Sequence, residues 1–146
     1  MKNILVICTG NSCRSQIAHG YLAYFTDARK VKVYSAGVET HGVNPKAIAT
    51  MQEDNIDISH HTSNNIKEYL GINFDFVITV CDNAKEQCPT FPTKAKKFHY
   101  NFPDPAKATG TEEEIKTAFI TVRQLIKNYC ENFVTKNLIE EKIMNH

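Results

Sequence analysis

No apolar run in this 146-residue sequence approaches the roughly 20 residues of a membrane-spanning helix. The opening Met1-Lys2-Asn3-Ile4 leads into too short an apolar stretch for a secretory signal. Linkers, internal repeats and low-complexity tracts are also missing, so a single domain over residues 1–146 is expected. Net charge is close to absent at +1, which gives no global pull toward nucleic acid or an anionic membrane. Any anion site must therefore be local. The Gly-x4-Gly-Lys-Ser/Thr loop that cradles nucleotides is not there either. What remains is a composition ordinary for a globular protein, 42% hydrophobic and 23% charged. The expected setting is a monomer in the cytoplasm, where structural disulfides are rare. Five cysteines (Cys8, Cys13, Cys81, Cys88 and Cys130) then ask for a chemical explanation.

The first of them closes the apolar run Ile4-Leu5-Val6-Ile7 and opens Cys8-Thr9-Gly10-Asn11-Ser12-Cys13-Arg14-Ser15. A strand should turn into a helix here, and a loop at a helix N-terminus aims several backbone N–H groups at one point. Thr9, Gly10, Asn11, Ser12 and Cys13 would form that cradle, with Arg14 adding a planar fork of donors for a tetrahedral oxyanion. The same field favours a thiolate, which makes Cys8 the expected nucleophile.

The rest of the chain alternates strand and helix signals. Asn3 to Ile7 reads as a buried strand, with a helix from about Ser15 to Phe25 and a second strand over Val31 to Tyr34. Asn44-Pro45 caps a helix running toward Asp54, and a short helix covers Asn65 to Leu70. Strands follow at Phe74 to Val80 and Lys97 to Tyr100. Thr111-Glu112-Glu113-Glu114 is a capping box, after which Ile115, Phe119, Val122, Ile126, Tyr129 and Phe133 recur at helical steps. Leu138, Ile139, Ile143 and Met144 beyond it either extend that helix or cover a neighbour. The expected fold is α/β, three layers, a four-stranded parallel sheet with helices on both faces. Ligands in such sheets bind outside the carboxyl ends of the strands. That rim would gather Cys8, Cys81 and Asp104.

Cys81 and Cys88 stand seven positions apart, just after a strand. If the intervening residues were helical, the thiols would sit about 10 Å apart from rise alone. A disulfide needs Cα atoms within about 7 Å, so the segment would have to bend or unwind. Zinc on Cys8, Cys13, Cys81 and Cys88 is the rival reading, but structural pairs usually have two to four intervening residues, against four and six here. It would also waste the anion loop at Cys8. His60-His61 reads as a polar loop pair. Asp104, between Pro103 and Pro105, is a carboxylate on a stiff loop that suits a positioned acid.

Cys8-x5-Arg14-Ser15 resembles the loop of protein tyrosine phosphatases. The longer string resembles the low-molecular-weight phosphatases and the arsenate reductases of the same fold. With Tyr34-Ser35-Ala36-Gly37, Thr40-His41-Gly42-Val43-Asn44-Pro45, Thr62-Ser63, Cys81-x6-Cys88-Pro89 and Asp104-Pro105, the chain looks like a thioredoxin-coupled arsenate reductase. The resemblance implies that Cys8 attacks arsenate held by the loop and Arg14. Ser15 would steady the thiolate and Asp104 would assist protonation of the departing oxygen. Cys81 would then attack the Cys8–arsenic adduct, and Cys88 would leave a Cys81–Cys88 disulfide for thioredoxin, the implied electron donor. It implies no tightly bound cofactor. Members of the family use two carboxylates to help a potassium ion steady the loop; His19 and Asn64 stand there instead, which argues against a tight potassium site.

Two other classes compete with this reading. A phosphatase of phosphotyrosine or small phosphate esters would share the loop, but family phosphatases carry an aromatic residue after Asp-Pro where this chain has Ala106. A thiol sensor or metal-binding protein would have no use for Arg14 and Asp104 together.

Overall fold

The computed structural model describes residues 1–82, 86 and 89–143. Ile4, Leu5, Val6 and Ile7 are all fully buried. Strand side chains alternate between faces, so Ile4 and Val6 enter one apolar cluster while Leu5 and Ile7 enter the other. A strand apolar on both faces belongs in the middle of a covered sheet. Their strand, β1 (Lys2–Ile7), accordingly lies between β2 (Val31–Ala36) and β3 (Phe76–Thr79). The last strand, β4 (Lys96–His99), flanks β3, and every pair is parallel in the order β2-β1-β3-β4. As the edge strand beyond β3, β4 exposes Lys96 and Lys97, a charge pattern that discourages further strand addition.

Three helices cover the Ile4/Val6 face. They are α1 (Arg14–Phe25), α2 (Pro45–Glu53) and α3 (Glu112–Asn137). Helix α1 is buried on nearly all sides, including its polar residues Arg14, Ser15 and Gln16. Asn44 Oδ1 accepts from the Lys46 amide at 2.8 Å, with Pro45 in the first helical position of α2. The Thr111 capping box forms in full, Glu114 N donating to Thr111 Oγ1 at 3.1 Å and Thr111 N to Glu114 Oε1 at 3.2 Å. Asp54, just past α2, accepts from Tyr21 Oη on α1 at 2.6 Å and from Lys127 Nζ on α3 at 2.9 Å. One carboxylate thus ties three helices.

The opposite face carries a thinner layer. A 3-10 helix, Ile66–Tyr69, and the loop aromatics Phe74 and Phe91 pack over Leu5, Ile7 and Val77. Phe74 meets Tyr34 and Phe91 edge-on, with ring centroids 5.3 and 5.8 Å apart.

Element limits shift by a residue or two from expectation, for visible reasons. Strand β3 starts at Phe76 rather than Phe74 because the Asp75 side chain takes the Asn3 amide at 2.8 Å in place of a ladder bond. Beyond α3 the chain turns back: Leu138 is buried, Asp27 N donates to Glu141 O at 2.9 Å and Ile143 N to Phe25 O at 3.0 Å. The tail therefore covers the end of α1 instead of lengthening α3. Met144 lies outside the described residues.

Candidate active site

Cys8 continues β1 by one bond, its amide donating to Ala36 O at 3.2 Å, before the chain curls into α1. Outside contacts hold the carbonyls of the curl. Thr9 O accepts from Glu39 N at 3.1 Å, Gly10 O from His41 N at 3.3 Å, Asn11 O from Gln16 Nε2 at 3.1 Å and Ser12 O from Asn44 N at 3.0 Å. In a trans peptide the following N–H points the opposite way, and the described residues contain no cis bond. The amides of Gly10, Asn11, Ser12 and Cys13 are therefore turned to the other side of the curl, at the N-terminus of α1. Cys13 occupies the N-cap and supplies no side-chain cap.

Asn11 takes a left-handed φ of 46° and is completely buried. Its Oδ1 accepts from the Asn64 amide at 2.7 Å, and its Nδ2 donates to Ser15 Oγ at 2.8 Å. Ser15 Oγ lies 2.9 Å from Cys8 Sγ. Because a backbone N–H can only donate, the amide orientation of Asn11 is fixed, and the Ser15 hydroxyl hydrogen is left for sulfur. The chain of donors thus ends on Cys8. Behind the curl, a Cβ on Gly37 would stand 2.6 Å from Thr9 O and 2.8 Å from Asn11 N, so only glycine lets the chain leaving β2 pass this close.

Arg14 is buried, and both terminal nitrogens of its guanidinium carry partners. Nη1 donates to Glu86 Oε2 at 2.8 Å and to Phe102 O at 3.1 Å, and Nη2 donates to Glu86 Oε1 at 2.8 Å. Asp104 Oδ2 stands 3.7 Å from Nη2. The other Asp104 oxygen accepts from Ala106 N at 3.0 Å, which pins the carboxylate at the head of the short 3-10 helix Pro105–Lys107. Burial works against the Arg14 charge, but the Glu86 bonds and nearby Asp104 raise its pKa all the same. Burial also opposes the Glu86 carboxylate, yet hydrogen bonds from Arg14 and Thr9 bring its pKa down to about 2.

Of the site residues read from sequence, Cys8, Thr9 to Arg14, Ser15 and Asp104 therefore meet around one loop. Cys81 is buried at the end of β3 and disulfide-bonded, whereas Cys8, Cys13 and Cys130 are free thiols. Cys88 lies outside the described residues. Burial, then Asp104, push the Cys13 pKa to about 12, which keeps that thiol protonated. Cys130 is buried beside α1, and burial alone raises its pKa.

Two residues gain roles that spacing did not suggest. Glu86 is one. Gln16 is the other: its Nε2 donates to Asn11 O and to Thr62 O at 3.0 Å, and its Oε1 meets His61 Nδ1 at 3.0 Å. His61 stacks on His19 at 4.2 Å, and His19 Nδ1 meets Ser35 Oγ at 2.9 Å. His60-His61 is thus more than a polar loop pair, and His19 supports Asn11 only through His61 and Gln16. Asn64 spends its side chain on Thr62 and Glu68 and holds Asn11 through its backbone. Neither position carries a carboxylate of its own, and the Asn64 side-chain amide donates to Glu68 Oε1 at 3.1 Å. Among the described residues, no group of three or more His, Cys, Asp or Glu could hold a metal ion.

The chain is similar to known proteins over most of its length. An arsenate reductase of Oceanobacillus iheyensis is 49% identical over 132 residues, 90% of this chain and 94% of the relative. A solved arsenate reductase in its phosphate-binding state superposes with a TM-score of 0.77 at 34% identity, covering 93% of this chain and 98% of its own. An arsenate reductase in the oxidised state gives 0.78 at 33% identity over the same shares. The profile of the low molecular weight phosphotyrosine protein phosphatases matches residues 3–144. A loop, a sheet order and a sequence match that span nearly the whole chain have one common source: the chain belongs to the low molecular weight phosphotyrosine protein phosphatase family.

Proposed function

We propose that this chain reduces arsenate to arsenite. The observation that carries the reading is the Asn11–Ser15–Cys8 series of hydrogen bonds beneath an amide-lined loop, with Arg14 and Asp104 beside it. The loop amides and Arg14 would take the oxyanion. Cys8 attacks arsenic, Asp104 helps protonate the oxygen that leaves as water, and Ser15 steadies the sulfur. Cys81 then attacks Cys8 Sγ. The sulfur–arsenic bond breaks, its electron pair stays on arsenic, and arsenite departs as a Cys8–Cys81 disulfide forms. Cys88 attacks Cys81 and frees Cys8. A disulfide at Cys81 with a free Cys8 is the condition such a relay leaves at its end, and it supports the assignment.

An internal disulfide needs a dithiol reductant, which favours thioredoxin and a reducing cytoplasm. No helix among the described residues is long and apolar enough to cross a membrane. The protein would work as a monomer. Phosphate ester hydrolysis is the second reading, favoured by the family match alone, and would persist as a weak side activity of the loop.

Arsenate-dependent NADPH oxidation with thioredoxin and thioredoxin reductase tests this, run beside p-nitrophenyl phosphate hydrolysis. Multiple turnovers with arsenate are expected. Brisk hydrolysis without arsenate reduction would make the chain a phosphatase.

A further inference from the structure

Glu86 occupies the place an oxyanion would need. Its two oxygens take one N–H from each terminal nitrogen of Arg14, both at 2.8 Å, and Oε1 accepts the Thr9 hydroxyl at 2.7 Å. An arginine fork binds carboxylate and phosphate in the same two-bond geometry, so the two ligands compete for one set of donors. Other acceptors crowd the fork as well: Phe102 O takes the second Nη1 hydrogen at 3.1 Å, and Asp104 Oδ2 stands 3.7 Å from Nη2. An entering oxyanion would also meet two carboxylates with little water to screen them, since the Arg14 and Glu86 side chains are only 4% and 11% exposed. Glu86 is held there by the backbone as well, its amide donating at 3.0 Å to the carbonyl of Asp82, the residue next to the disulfide-bonded Cys81. Nothing in the reduction steps uses this carboxylate.

We propose that Glu86 is an internal ligand of the oxyanion loop: while Cys81 is disulfide-bonded, the carboxylate fills the Arg14 fork and excludes arsenate and phosphate until the disulfide is reduced. The proposal rests on the reductase reading for the meaning of the Cys81 disulfide and adds a gate to the same site. The carboxylate has a further consequence for order. Reduction precedes substrate entry, so oxidised enzyme does not sequester arsenate it cannot turn over.

Inorganic phosphate is a suitable probe because it binds without redox chemistry. Its affinity is measured by titration calorimetry on the full chain, both oxidised and reduced with excess dithiothreitol, for wild type, Glu86→Gln and Cys81→Ser. Oxidised wild type should bind phosphate at least roughly tenfold more weakly than reduced wild type, a difference of about 1.4 kcal/mol. Oxidised Glu86→Gln should bind about as tightly as reduced wild type, and Cys81→Ser should bind tightly under both conditions. Equal affinity of the two wild-type forms would overturn the gate. So would an oxidised Glu86→Gln as weak as oxidised wild type, or a Cys81→Ser that weakens on oxidation. Failure of the reductase reading looks different: redox-dependent phosphate binding without arsenate turnover would keep the gate and remove the reductase. Arsenate turnover with redox-independent binding would do the reverse.

Discussion

At the scale of single residues, direction matters as much as distance. The Asn64 amide, Asn11, Ser15 and Cys8 form a series in which each donor is dictated by the one before it. A hydrogen bond to a charged group contributes about 1.5–3 kcal/mol, or roughly 10–100-fold in rate. Ser15→Ala should therefore slow p-nitrophenyl phosphate hydrolysis by about that factor. Asn11→Asp, which cannot donate to Ser15, should slow it comparably. Groups acting in series are not additive, so the double variant should be no slower than the worse single one. A multiplied loss in kcat/KM would show that the two residues act separately. Cys8, Arg14 and Ser15 were legible in the sequence because they are near neighbours that a short loop must bring together. Glu86 was not, because its partner lies 72 positions away and no spacing rule links a carboxylate after β3 to a guanidinium on α1. The link from Asn64 to Asn11 was hidden for a different reason, since it runs through a backbone N–H that any residue but proline would supply.

At the scale of elements, two junctions govern stability. In the first, α1 meets the loop after α2 through stacked imidazoles. Burial first, then the neighbouring imidazoles, push the His19 pKa down to about 3, and burial with His60 takes His61 to about 4. Both are thus neutral in the folded protein well below the ordinary histidine value near 6.5, whereas the unfolded chain takes up protons there. Below about pH 6.5 the unfolded state binds more protons, so stability should fall with pH and continue falling toward pH 4. Urea midpoints between pH 7.5 and 5 would check this, and His19→Gln should flatten the profile. In the second junction, Tyr21 and Lys127 share Asp54. Burial works against that carboxylate, but its hydrogen bonds to both partners lower its pKa. Tyr21→Phe should cost about 1 kcal/mol in chemical denaturation with no change in ester hydrolysis. The capping box and the apolar stripe of α3 could be read directly from residue order. Helix α1 has no such stripe, since neighbours surround it, and its start was fixed by the loop motif instead.

At the scale of the molecule, a parallel sheet brings the ends of β1 and β3 to one rim, with Asp104 on the loop beyond β4. Sequence alternation was enough to foresee that sheet, because a strand buried on both faces has only the interior to occupy. The thin second layer was harder to foresee, being built from a 3-10 helix and loop aromatics that carry no period. The rim predicts a split among variants. Cys8→Ser should abolish arsenate reduction and ester hydrolysis together. Cys81→Ser and Cys88→Ser should stop steady-state arsenate turnover and spare hydrolysis, as read by coupled NADPH oxidation and p-nitrophenol release. Equal loss of both activities in Cys81→Ser would sink the relay.

Gly37 limits how far the loop can be transplanted. The eight residues from Cys8 to Ser15 look like a self-contained cassette, yet their curvature is moulded against a backbone that a single methyl group would displace. A protein engineer who grafted the string alone onto another strand–helix junction would import the functional groups without the mould. The portable unit is the string together with the bare backbone of Gly37 just past β2, and an oxyanion loop built from scratch needs both pieces.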